Sequence, residues 1–145
     1  MVSIVRGLLV AGLATVMVTG VARADASDVP VTEYKGHFYD VYPNETYRKC
    51  VAWRESRNNP RSIGGQHRGM YQFTPALAHG VAWMMRAAPG ERITRKQRLW
   101  LQSRPMTKWS RYWQDRAFYT VYNWHGPASG AKHWHIAGST CNGLT

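Results

Sequence analysis

Two cysteines, Cys50 and Cys141, stand far apart in a chain of 145 residues, and whether they are joined constrains the fold more than any other feature. An even cysteine count in an exported chain points to a disulfide; two unpaired thiols are the alternative. Joined, they would close a loop of roughly 90 residues, worth about 4–5 kcal/mol in the chain-entropy model. The bond would tie the C-terminus back to the helix around residue 50. The case for export lies at the other end. Arg6 supplies a short positive region, and Gly7 to Gly20 is an apolar run too short for a membrane span. Ala22-Arg23-Ala24 reads as an A-x-A cleavage signal, and Ala24-Asp25-Ala26 is a second. Residues 1–24 are therefore read as a secretory signal peptide, with an uncleaved anchor as the alternative. Residues 25–38, punctuated by Pro30 and Gly36, read as a loosely packed N-terminal arm. Residues 39–145 read as the folded domain.

That length holds one core and no more. Seven Trp and eight Tyr are many for it; such aromatics fill cores, stack on sugar rings or stack on bases. Lys and Arg number 19 against 8 Asp and Glu, a net charge of +11. The surplus favours a polyanionic partner: nucleic acid, an acidic membrane or a bacterial wall. Export sets nuclear and ribosomal roles aside.

Helix signals recur along the domain. Asn44 can cap a helix with Glu45 in its first turn. Tyr47, Cys50, Val51 and Arg54 keep helical spacing until Asn58-Asn59-Pro60 stops it. Residues 61–69 read as a flexible loop or short hairpin, with Gly69 allowing close backbone approach. Thr74-Pro75 is an N-cap followed by proline at the first helical position, and Ala88-Pro89-Gly90 ends that helix. A short basic helix is expected within 91–104, broken by Pro105. Another spans 107–122, with Trp109, Tyr112 or Trp113, Ala117 and Val121 on one stripe. The expected fold class is α+β and predominantly α, its sheet no more than a hairpin near 61–72.

Glu55 is the one acid in a strongly basic neighbourhood, near the last turn of its helix. The negative end of the helix dipole and a partly apolar pocket would both push its pKa towards that of a general acid. Arg54 and Arg57 would oppose this. The plainer alternative is a surface carboxylate paired with an arginine.

Three motifs in order then carry a resemblance: Glu55-Ser56 with Pro60, the run Gly69-Met70-Tyr71-Gln72-Phe73, and Tyr122-Asn123 with Gly126. Together, over roughly residues 39–135, the chain resembles the lysozyme-like soluble lytic transglycosylase domain. The cysteine before the glutamate and the small secreted format are similar to actinobacterial resuscitation-promoting-factor domains. It departs from the pattern in reading Met-Tyr-Gln where Leu-Met-Gln is usual, in Val121 before Tyr-Asn, and in the extra His125. The resemblance implies a small lysozyme-like domain at the cell wall. It implies cleavage of the β-1,4 bond between N-acetylmuramic acid and N-acetylglucosamine in peptidoglycan, with Glu55 as general acid and base; the product is a 1,6-anhydro sugar if Glu55 then deprotonates the muramyl 6-hydroxyl, or a reducing end, as from a lysozyme-type glycoside hydrolase, if it activates water. By the same analogy Gln72 would bind an N-acetyl group or hydroxyl. Tyr122 would hydrogen-bond near Glu55 and orient it, Asn123 would fix the turn or touch sugar, and Met70 and Tyr71 would line the floor. Ser56 would bind substrate or finish the helix. A two-carboxylate mechanism needs a second acid; Asp115, Asp40 and Glu91 are the candidates, and Asp115 has an ion pair with Arg111 or Arg116 as its plainer reading.

His133-Trp134-His135 lacks an evident third ligand, so no metal is expected, and no cofactor. The expected partners are peptidoglycan strands, with anionic wall polymers as a further possibility, no nucleic acid, and a monomeric state. A non-catalytic wall-binding or resuscitation-signalling module on the same fold is the alternative function. A cationic membrane-active or nucleic-acid-binding protein would explain the charge but not the ordered motifs.

Overall fold

The computed structural model describes residues 26–41 and 44–144. The signal-peptide reading of residues 1–24 lies outside the described residues. Helix α1 (His37–Val41) leads to α2 (Glu45–Ser56), a two-stranded hairpin, α3 (Pro75–Ala87), α4 (Arg95–Gln102), α5 (Arg111–Asn123) and α6 (Pro127–Gly130), with short 3-10 turns between and after them. The hairpin pairs β1 (Ile63–Gly64) with β2 (His67–Arg68) antiparallel, Ile63 opposite Arg68 and Gly64 opposite His67. An isolated bridge then joins Arg68 to Phe73. The class is α+β and predominantly α.

The helix starts follow their caps. The Asn44 side chain accepts from the Tyr47 amide, and Thr74 accepts from Leu77 with Pro75 behind it. Thr94 and Gln97 form a reciprocal capping box on α4. The helix expected from 107 begins instead at Arg111. Residues Met106–Lys108 form a 3-10 turn, and Ser110 is the N-cap.

Helix α5 is the centre of the molecule. From Gln114 to Asn123 every residue is buried, so the expected one-sided stripe is a helix enclosed on all sides. The aromatic residues make this core. Tyr122 stacks between Tyr47 of α2 and Phe118, at ring centroid distances of 5.2 and 5.6 Å. Trp134, from the C-terminal tail, packs on Phe118 at 4.6 Å and donates its indole N–H to the Tyr71 carbonyl.

Enclosing α5 also encloses its polar residues, and each charge on it finds a partner. Asp115 is fully buried; it accepts from Thr32 Oγ1, the Glu33 amide, Tyr71 Oη and Arg48 Nη1. Arg48, equally buried, also reaches both oxygens of Glu45 and the Pro30 carbonyl. Burial alone would lower the Arg48 guanidinium, but Tyr71, Glu45 and Asp115 more than reverse that and keep it charged. Burial first, and then Asp115, push the Tyr71 phenol well above its usual value, so it remains a donor.

This network corrects the reading of residues 25–38 as a loose arm. Val29, Thr32, Tyr34 and Phe38 are buried, and the segment's backbone amides bond to the side chains of Glu45 and Asp115. At the other end Cys50 and Cys141 are bonded to each other, joining the tail to α2. No helix among the described residues is long and apolar enough to cross a membrane.

Candidate functional site

Helix α2 ends in two left-handed residues, Arg57 and Asn58, and the Arg57 amide bonds back to the carbonyls of Ala52 and Trp53. Glu55 therefore projects from the last turn. It borders an open cavity of about 340 Å³ whose other lining residues are His67, Gln72, His133, Trp134 and Ile136. Three segments meet there: the end of α2, the hairpin with the loop behind it, and the disulfide-anchored tail.

The Glu55 side chain is 19% exposed. Arg54 donates both Nε and Nη2 to its Oε1, at 3.0 and 2.7 Å. Arg54 is itself anchored by the Trp134 carbonyl and by Ser139 Oγ at 2.6 Å. Oε2 of Glu55 receives no hydrogen bond among the described residues. The carboxylate thus has one fixed oxygen and one free one.

Gln72 reaches the cavity through an unusual backbone. Its φ is 51°, a left-handed conformation rare outside glycine, and its Nε2 bonds to the Gly69 carbonyl at 2.8 Å. Gly69 makes the loop possible. Its φ is 79°, and a Cβ there would stand 2.6 Å from Gln114 Oε1, the oxygen that holds the Met70 amide at 2.7 Å. At Gly64 a Cβ would meet Gln72 Oε1 at 2.5 Å, so the hairpin lies directly against the glutamine amide.

The structure brings Glu55 and Gln72 to one cavity and places the other predicted site residues elsewhere. Met70 and Tyr71 are fully buried and cannot form an accessible floor; Tyr71 belongs to the Arg48–Asp115 network. Tyr122 accepts from Asn44 Nδ2 at 3.0 Å, at the opposite end of α2 from Glu55, so it does not orient the acid. Asn123 is buried, with its amide on the Tyr119 carbonyl at 2.9 Å and its Oδ1 without a partner among the described residues. Ser56 bonds to the carbonyls of Ala52 and Met70 and accepts from the Asn59 amide; it finishes the helix and clamps the loop that carries Gln72.

None of the candidate second acids lines the cavity. Asp115 is sealed in the core, Glu91 binds Tyr34, the His37 amide and Arg116, and Asp40 is an exposed residue of α1. Sequence reasoning missed His67, His133, Trp134 and Ile136 as cavity residues. The signal for the last three was Cys141, since a tail bonded to Cys50 lies beside the helix that carries Glu55. Among the described residues no group of three or more His, Cys, Asp or Glu side chains could hold a metal ion.

No family model matches the chain. Comparisons with curated proteins and with solved structures find no match either.

Proposed function

We propose that the chain is a secreted enzyme that cuts peptidoglycan strands at the β-1,4 bond between N-acetylmuramic acid and N-acetylglucosamine, with Glu55 as acid and then as base. One observation carries the reading: a single carboxylate, anchored through one oxygen and free at the other, borders a cavity whose lining contains no second acid. The resemblance of the ordered Glu-Ser, Gly-Met-Tyr-Gln-Phe and Tyr-Asn motifs supplies the substrate class. The leader-like residues 1–24 and the Cys50–Cys141 bond favour export.

The chemistry proposed here uses the single acid twice. Hydrolases that use two carboxylates keep them about 5–5.5 Å apart to retain configuration or about 6.5–9.5 Å apart to invert it. With one, the same group serves both half-steps. Protonated Glu55 gives its proton from Oε2 to the glycosidic oxygen as the bond to C1 of the muramyl residue breaks through an oxocarbenium-like state. The resulting carboxylate then removes the proton of that residue's own 6-hydroxyl as O6 bonds to C1. The product is a 1,6-anhydro sugar and Glu55 is protonated again, so no water is consumed. An intramolecular nucleophile also has the advantage of proximity. Arg54 would hold the carboxylate in place throughout, and Gln72 would bind an N-acetyl group or hydroxyl on the facing wall.

The test is digestion of purified peptidoglycan by the wild-type protein and by Glu55→Gln. Soluble fragments from the wild type alone are the expected result. No cleavage by the wild type across several wall types would sink the enzyme reading and leave a wall-binding module.

A further inference from the structure

The basic charge is not spread evenly. From Arg92 to Gln114 the chain contains seven Lys and Arg and no acid. This stretch covers α4, the 3-10 turn after it and the first turn of α5. Of the depressions that open on it, two adjoin Trp100. One, of about 640 Å³, is bordered by Arg61, Trp100, Lys108 and Arg111 among others. The second, of about 210 Å³, is lined by Lys96, Gln97, Trp100 and Trp113. They meet at Trp100, which is 38% exposed and carries the Arg104 guanidinium 4.5 Å from its ring centroid.

Neither depression has a carboxylate in its lining. Arg61, Lys96, Arg104 and Lys108 make no ion pair among the described residues and are exposed. A run of unpaired cations beside the partly exposed Trp100 and Trp113 holds a positive potential that favours a polyanion. Neither depression shares a residue with the Glu55 cavity.

We infer that this face is a second binding surface, for a linear phosphodiester-linked wall polymer of sugar or polyol units. Lys96, Lys108 and Arg61 pair with successive phosphates, while Trp100 and Trp113 pack against the units between them. The choice of a wall polymer over another polyanion rests on the function proposed above, since an enzyme cutting wall glycan works among such polymers. The surface would hold the protein on its substrate while Glu55 is free to move between strands.

The test measures binding of purified poly(glycerol phosphate) across a series of salt concentrations. The proteins are the wild type, Glu55→Gln, the triple variant Arg61→Gln/Lys96→Gln/Lys108→Gln, and a control that removes the same charge elsewhere, Lys49→Gln/Arg86→Gln/Lys132→Gln. A single-stranded oligonucleotide with the same number of phosphates is the competing probe. The face triple should weaken polymer binding at least about tenfold at low salt and flatten the slope of log K against log salt by about 2, at about 0.7 per phosphate contact. The control triple should stay within about twofold, and Glu55→Gln should bind like the wild type. Equal weakening by both triples would overturn the inference, because net charge and not this face would then bind. Tighter binding of the oligonucleotide than of the polymer would overturn the assignment of the occupant. Digestion run alongside keeps the two proposals apart. Polymer binding at the face without any cleavage would sustain this inference and defeat the enzymatic one; cleavage without polymer binding would do the reverse.

Discussion

Glu55 and Asp115 are both carboxylates in a basic chain, and their surroundings give them opposite work. Asp115 has no exposed surface and every oxygen engaged; Glu55 keeps one oxygen free beside an open cavity. Removing one partner of a buried ion pair leaves the other uncompensated, at about 3–5 kcal/mol. Asp115→Ala should therefore lower the unfolding free energy by about that amount in a denaturant titration. Its folded fraction should cleave peptidoglycan at a rate close to wild type, because the residue touches nothing at the cavity. Glu55→Gln should do the contrary. Its melting temperature should fall less than that of Asp115→Ala, because Arg54 keeps the Trp134 carbonyl and Ser139 as partners, and turnover should fall at least about 100-fold, as expected when a general acid is lost. If Asp115→Ala kept its stability and lost its activity, the assignment of roles would be reversed.

At the scale of elements, the site depends on how α2 ends and what is tied to that end. Ser56 joins the last turn to the Met70 carbonyl at 2.8 Å, and so fixes the distance between Glu55 and the loop that carries Gln72. Ser56→Ala leaves that carbonyl without its donor, at about 1–3 kcal/mol. It should lower both the melting temperature and the cleavage rate, whereas a Ser56 that merely touched substrate would leave the melting temperature unchanged. Helices α2 and α3 were readable in the sequence because their caps, Asn44 and Thr74 with Pro75, are local chemistry, and so was the turn that needs Gly69. The packing of residues 26–38 was not readable. Val29, Thr32 and Tyr34 follow no helix or strand period, and the α5 partners of Thr32, Glu33 and Tyr34 lie some eighty residues away in sequence. The burial of Tyr122 escaped for a similar reason. Its position in a Tyr-Asn motif suggested a cleft, while the residue whose amide donates to its hydroxyl, Asn44, read as a helix cap. Gln72 was readable as a site residue, but its left-handed backbone was not, because nothing in a glutamine announces a positive φ.

At the scale of the whole molecule, the tail and the buried charges decide stability. The disulfide spans 91 residues and holds the segment that supplies His133, Trp134 and Ile136 to the cavity. Its reduction should cost about 4–5 kcal/mol and loosen that wall, lowering the melting temperature and activity together. Acid should act through Glu45. Burial alone would raise its carboxyl, but the hydrogen bonds from Arg48, Tyr119 and the Thr32 amide outweigh that and hold it below its ordinary value of 4.5. A carboxyl lowered in the folded state adds stability that is present above the unfolded value and is lost as the pH falls through the folded one. Stability should therefore drop below about pH 4.5, and Glu45→Gln should flatten that part of the curve. On the alkaline side burial pushes Tyr47 up to about 12. The sign is opposite: its contribution is complete below pH 10 and disappears as the pH rises towards 12. The central claim is that one carboxylate breaks the glycan bond without water. It is tested most directly by digesting peptidoglycan in ¹⁸O-labelled water and reading the fragments by mass spectrometry. Anhydro-muramyl ends carrying no label, and absent with Glu55→Gln, are the predicted result. Reducing ends that carry the label would contradict it, because their oxygen would come from a water that took the place of the muramyl 6-hydroxyl.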